Sequence, residues 1–103
     1  MSEQIRIFIV DDHDVVREGL AVMLATESDF LVAGQAADGD QALAALAGSE
    51  ADVILMDLEM PNKDGVETLR AMDEAGMTTP VIVFTVFDTD DRIIAAVQAG
   101  ARG

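Results

Sequence analysis

A doubly wound parallel α/β sheet with helices on both faces is predicted by two features of this chain. Short apolar runs rich in β-branched residues alternate with stretches whose apolar residues recur at helical spacing. Two of those runs also end abruptly in carboxylates. Ile5-Arg6-Ile7-Phe8-Ile9-Val10 stops at Asp11-Asp12, and Val53-Ile54-Leu55-Met56 stops at Asp57. Acidic groups at strand ends matter because open α/β sheets bind ligands outside the carboxyl ends of their strands, where the strand order reverses.

The elements follow in order. After the first strand, Val16, Leu20, Met23 and Leu24 fall on one helical face. Phe30-Leu31-Val32-Ala33 begins the second strand, and Ala42, Leu43, Leu46 and Ala47 mark an Ala-rich helix that Gly48 suits as a cap. Val53 to Met56 is the third strand. Val66, Leu69 and Met72 form the next helical stripe, closed by Gly76. Val81-Ile82-Val83-Phe84 is the fourth strand, entered through Pro80, and Ile93, Ile94 and Val97 mark a fourth helix ending at Gly100. The order β-α-β-α-β-α-β-α implies right-handed crossovers and a parallel sheet. At 103 residues the chain is one domain, spanning 1–103. It stops at Ala101-Arg102-Gly103, where a fifth strand is expected to begin, so it reads as incomplete at its C-terminus.

Composition narrows the function. Half the residues are apolar, enough for a core, and the net charge is −14. That charge argues against direct nucleic-acid binding, which needs clustered Lys and Arg. Cysteine is absent, which removes disulfide frameworks and thiolate metal sites. The N-terminus lacks a basic region, and the apolar run after it is too short for a signal or a membrane span. The expectation is a soluble cytoplasmic domain with no membrane contact.

Asp11, Asp12 and Asp57 carry the chemistry. Three carboxylates at neighbouring strand ends repel one another, and a bound cation relieves that repulsion. Mg²⁺ takes octahedral oxygen coordination from one or two carboxylates, waters and phosphate oxygens, so Asp12 and Asp57 with a backbone carbonyl just after Asp57 suit it. A phosphoryl group on Asp57 would share that metal. The plainer reading makes Asp11 and Asp12 caps of the following helix, where Asp is favoured. His13 reads as a solvent-facing residue at the helix start. Thr85, ending the fourth strand, is placed to donate a hydrogen bond to a phosphoryl oxygen near Asp57; alone it reads as an ordinary strand-end Thr. Met60-Pro61-Asn62-Lys63-Asp64-Gly65 is a turn-rich loop that would hold the backbone beside Asp57.

These residues together resemble the receiver domain of bacterial two-component response regulators. The resemblance rests on strand-Asp11-Asp12, on Asp57-Leu58-Glu59-Met60-Pro61 with Asp64-Gly65, and on Thr85. The stretch Val10 to Leu20, with Ala37-Asp38-Gly39 and Phe87-Asp88 leading to Ala99-Gly100-Ala101, resembles the subfamily with a LuxR-type helix-turn-helix output domain. The resemblance implies a flavodoxin-like receiver fold with strand order 2-1-3-4-5, of which this chain would carry 2-1-3-4 without the fifth strand and fifth helix. It implies Asp57 as phosphoacceptor, charged by a sensor histidine kinase. It implies Asp12, Asp57 and the Glu59 backbone carbonyl as Mg²⁺ ligands, Asp11 in the outer shell, and Thr85 as phosphoryl contact and switch. The domain would not be an enzyme in its own right, though it assists its own phosphotransfer and dephosphorylation. It would control transcription through a DNA-binding domain outside this chain, and a homodimer is a further expectation.

The chain departs from that pattern in three places. It ends before the family's Lys at the end of the fifth strand and the switch aromatic ahead of it; Lys63, in the loop after Asp57, does not stand in for that Lys. The fifth helix is also missing, and with it part of a common dimer surface. Val86 follows Thr85 where a smaller residue is frequent, and Glu59 and Phe87 occupy positions that tune phosphoryl lifetime. Two other readings compete. Asp12-His13-Asp14-Val15-Val16 fits the D-x-D-x-[TV] pattern of haloacid-dehalogenase-like phosphatases, with Asp12 as nucleophile and Asp14 as acid/base, but this leaves Asp57 and the Met60-Pro61 loop unexplained. An interaction module that keeps the fold without phosphate signalling is the third.

Overall fold

A computed structural model describes residues 4–46, 51–57 and 65–84. Over these the chain runs β1 (Ile5–Val10), α1 (Asp14–Ala25), β2 (Phe30–Ala36), α2 (Gly39–Leu46), β3 (Val53–Asp57), α3 (Gly65–Glu74) and β4 (Val81–Phe84). The four strands are parallel and lie in the order β2-β1-β3-β4. The fourth helix expected around Ile93, the Gly48 cap, Thr85, Glu59 and most of the loop after Asp57 lie outside the described residues.

Strand order dictates which face each helix covers. The chain moves from β1 outward to β2, then returns past β1 to β3 and onward to β4. A right-handed crossover in each direction puts α1 on one face of the sheet and α2 and α3 on the other. The second face holds the main core. Phe8, Val10, Ile54, Met56 and Val81 from the strands pack with Ala42 and Leu46 of α2 and Leu69 and Met72 of α3. Ile7 and Ile9, also buried, alternate with Phe8 and Val10 along the pleat and so face α1, which lies against β1 and β2. Both faces of β1 are covered, which is why it reads as an unbroken apolar run rather than an alternating one.

The helix ends are set by local chemistry. Asp38 precedes α2, and its Oδ1 accepts the backbone N–H of Gln41 at 2.8 Å, while the Gln41 side chain reaches back to the N–H of Ala37 at 3.3 Å. This reciprocal pairing satisfies donors that a helix start leaves open. At the far end of α3, Gly76 takes φ +76° and Met77 N–H returns to the Met72 carbonyl at 3.0 Å. Glycine adopts that left-handed conformation without a Cβ penalty, so Gly76 ends the helix as the sequence implied.

Two expectations are corrected. β3 runs one residue past the expected Met56 to include Asp57, which pairs with Phe84 in the ladder, so strand geometry fixes the backbone that carries this carboxylate. In α1 the face turned inward is Arg17, Leu20, Ala21 and Leu24, each half-buried, whereas Val16 is 43% and Met23 65% exposed. The stripe is the right period but lies partly off the expected positions. Arg17 anchors that rotation: its guanidinium donates to the Asp11 carbonyl at 2.6 Å and to the Asp14 carboxylate one helical turn back.

β2 joins β1 through an irregularity. Ile7 pairs with Val32 but Phe8 pairs with Gly34, so Ala33 is the extra residue of a bulge. Gly34 is required beside it: a Cβ there would lie 2.7 Å from the Phe8 ring, which is itself buried. Gly34→Ala is expected to cost about 1–3 kcal/mol through overpacking, read as a lower urea midpoint with unchanged slope.

Candidate functional site

The site forms where the crossover direction reverses. α1 leaves β1 toward one face and α3 leaves β3 toward the other, so the adjacent ends of β1 and β3 are left open between them. Register does the rest. Val10 pairs with Met56, which sets Asp11, the next residue after β1, beside Asp57 at the end of β3. Asp11 is 1% exposed, and its backbone N–H donates to the Ala36 carbonyl of β2 at 3.1 Å, extending the ladder to the point where the chain turns.

Asp11, Asp12, His13 and Asp57 each offer one ligand atom, and these atoms all lie within 4.8 Å of one another. Asp11 and Asp57 are buried, Asp12 is half-buried and His13 is exposed. Asp11 Oδ1 accepts the His13 backbone N–H at 2.8 Å and lies 3.0 Å from His13 Nδ1. Neither Asp11 nor Asp12 caps α1; the N-cap is His13, in extended conformation and without a side-chain capping bond. The simple capping explanation for the Asp pair therefore fails.

Asp12 is the most informative member. Its Oδ1 is buried yet accepts no hydrogen bond, although His13 Nδ1 approaches to 3.0 Å. That approach is an ion-pair distance lacking hydrogen-bond direction, so it leaves the oxygen's lone pairs unmet. A buried anionic oxygen without a donor is costly unless a cation meets it. An orphaned oxygen facing two further carboxylates is a donor set suited to a hard divalent ion.

His13 is the residue whose place the sequence concealed. Its ring is largely exposed, as expected of a helix start, yet Nδ1 reaches into the cluster, 3.9 Å from Asp57 Oδ2. The hydrogen bond to Asp11 and the charge of Asp12, with lesser help from the charges of Asp11 and Asp57, push the imidazole above its ordinary pKa against the opposing effect of desolvation. The only available signal was adjacency in Asp11-Asp12-His13. Thr85 and Glu59, the other predicted site residues, lie outside the described residues.

Comparison with known proteins agrees with this geometry. The response regulator receiver domain family matches residues 7–103. The uncharacterized transcriptional regulatory protein YhcZ of Bacillus subtilis is 40% identical over 97 residues, covering 94% of this chain and 45% of that protein. The nitrate/nitrite response regulator protein NarL of Escherichia coli K12 is 32% identical over 102 residues, covering 99% of this chain and 47% of that one. Among solved structures, a LuxR-family two-component response regulator from Aurantimonas sp. SI85-9A1 superposes with a TM-score of 0.89 at 29% identity, over 96% of this chain and 71% of that chain. The response regulator domain of Thermotoga maritima CheB gives 0.86 at 33% identity, over 97% and 75%. This chain spans about half the length of the curated relatives it matches. Among the described residues no helix is long and apolar enough to cross a membrane. A parallel sheet in the order 2-1-3-4, with an acidic pocket at its switch point and a family match over nearly the whole chain, places it among the receiver domains of two-component response regulators.

Proposed function

We propose that Asp57 is the phosphoacceptor of this receiver domain. In the transfer, an Asp57 carboxylate oxygen attacks the phosphorus of a phosphohistidine on a sensor histidine kinase. The P–N bond breaks, the histidine nitrogen keeps the electron pair and takes a proton, and an acyl phosphate forms on Asp57. The observation that carries this reading is the gathering of Asp11, Asp12 and Asp57 at the sheet's switch point with Asp12 Oδ1 lacking a donor.

Asp12, Asp57 and the Glu59 backbone carbonyl would hold Mg²⁺, with Asp11 in the outer shell. When bound, the ion neutralises charge on the transferring phosphoryl oxygens. The protein's own residues supply the rest. β3 fixes Asp57 by its pairing with Phe84, so the nucleophile is oriented before the donor arrives. Asp11 accepts two contacts from His13 and thereby fixes the turn that carries Asp12. Thr85 would donate its hydroxyl to the phosphoryl group and move with it.

The phosphoryl group adds about −1.5 to −2 charges at neutral pH. The switch works if the active arrangement of the fourth-helix side gains on the order of 5 kcal/mol from Thr85 and the cation contacts. The output would be transcription control through a DNA-binding domain in the parent protein, in the cytoplasm and with dimerisation as the partner step. The description of the Bacillus subtilis relative YhcZ as a transcriptional regulatory protein supports that output.

Intact mass after incubation with acetyl phosphate and Mg²⁺ tests the assignment. A single phosphoryl adduct is expected, absent from Asp57→Asn and from samples in EDTA. An adduct that persists in Asp57→Asn would move the acceptor elsewhere and overturn the assignment.

A further inference from the structure

We infer that Arg17 is the positioning residue of the acidic pocket, aiming the Asp12 carboxylate at the cation by holding the peptide ahead of it. The inference rests on the cation-site reading above and adds a residue that touches neither the ion nor the phosphoryl group. Asp12 Oδ1 is buried and accepts no hydrogen bond, so no donor sets the direction of that oxygen. Its aim comes from the backbone on either side, and Arg17 holds both flanks. Arg17 Nη1 donates to the Asp11 carbonyl at 2.6 Å, and the Arg17 backbone N–H donates to the His13 carbonyl at 2.9 Å. The Asp11 carbonyl and the Asp12 N–H share one planar peptide unit. Fixing the first therefore fixes the plane from which the Asp12 side chain departs.

Other contacts tie the rest of the turn. Asp11 N–H donates to the Ala36 carbonyl at 3.1 Å, and His13 N–H donates to Asp11 Oδ1 at 2.8 Å. Arg17 is itself braced. Its Nη2 donates to the exposed Asp14 carboxylate, and its side chain is only 16% exposed. The guanidinium is a rigid planar fork, so bonding Asp14 through one arm turns the other onto the Asp11 carbonyl. An ion pair with an exposed partner adds little stability by itself, so the effect of this one is on direction. Charge argues the same way. A guanidinium bonded beside a cation site repels the ion, so the ion gains from Arg17 only through geometry.

The test is calorimetric titration with Mg²⁺ of the full chain, of Arg17→Met and of Arg17→Lys. Methionine keeps most of the apolar stem and drops the donors, whereas lysine keeps the charge and loses the fork. Arg17→Met is expected to bind Mg²⁺ about tenfold more weakly, as loss of an outer-shell partner does. Arg17→Lys is expected to bind it more weakly than the native protein as well. Unchanged or tighter Mg²⁺ binding by either folded variant would overturn the inference, since loss of a positive charge alone tightens a cation site. A second readout needs no ion. Amide exchange in EDTA compares His13 N–H, at the turn, with Ile54 N–H, which donates to the Pro80 carbonyl at 3.0 Å where β3 meets β4. Arg17→Lys should speed His13 exchange about tenfold more than Ile54 exchange, roughly the worth of one hydrogen bond, because the turn opens locally and the sheet only globally. Parallel acceleration of the two amides would show a merely structural Arg17 and overturn the inference. Absence of Mg²⁺ binding by the unaltered protein would instead overturn the cation-site reading beneath it, and the amide comparison would still decide whether Arg17 sets the turn.

Discussion

Asp12→Asn is expected to raise the melting temperature of the metal-free protein by about 4–8 °C, the shift that about 1 kcal/mol produces in a domain of this size. In the native protein Asp12 Oδ1 is buried without a hydrogen-bond donor, within 4.8 Å of ligand atoms on Asp11 and Asp57. Folding brings these like charges together and withdraws that oxygen from water, both of which oppose the native state. Asparagine keeps the shape, removes the charge, and can turn an amide N–H toward a neighbouring carboxylate. The opposite holds with Mg²⁺ present. A ligand that binds only the folded state stabilises it by about 2.7 kcal/mol at a hundred times its dissociation constant. On the ligand set proposed above, loss of the Asp12 carboxylate should weaken Mg²⁺ by at least the roughly 10–100-fold that losing an outer-shell partner costs. The native protein should therefore melt below the variant in EDTA and above it in saturating Mg²⁺. Paired thermal melts read the crossing; a variant that melts lower in EDTA would show that the Asp12 charge supports the fold.

Ile54→Ala is expected to destabilise the protein by about 2–5 kcal/mol, irrespective of metal. Ile54 is completely buried in β3, between β1 and β4 and under α2 and α3. Its ladder partners, Phe8 and Val81, are themselves buried, so the surroundings have little freedom to close over the missing methyl groups. Domains of this size are stable by about 5–15 kcal/mol, so the loss is a large share of the total. Urea unfolding with and without Mg²⁺ should give the same difference. A loss below about 1 kcal/mol would mean that the core on this face repacks freely.

The strands and their order of appearance were legible because a strand buried on both faces shows as a continuous apolar run. β1 is of this kind, β3 is buried on one face and half-buried on the other, and the acidic ends of both were visible as composition breaks. The gathering of Asp11, Asp12 and Asp57 then needed only that β1 and β3 be neighbours. What stayed hidden depended on rotation or on a single atom's direction. Helical periodicity gives the width of a buried stripe but not its exact angle, and in α1 the contact of Arg17 with the Asp11 carbonyl fixed that angle. The bulge at Ala33 leaves no pattern in a run where Phe30, Leu31, Val32 and Ala33 are all apolar. His13 was concealed because an exposed helix-start histidine and a histidine with one nitrogen in a carboxylate cluster have the same neighbours in sequence.

The pairing of Val10 with Met56 also bears on when the acidic pocket comes into being during folding. Asp11 and Asp57 belong to segments separated by a helix, a strand and a second helix, so no hairpin or single helical turn can bring them together. Contacts of this long range form only after the intervening loop entropy has been overcome. A one-residue slip of β1 against β3 would also turn the side chains to the opposite face of the sheet. Until the central pair has closed in correct register there is no pocket, and a nascent or misregistered chain presents only scattered, well-solvated carboxylates. The pocket is thus an internal proof of correct topology, available to a signalling partner only on molecules that have finished folding.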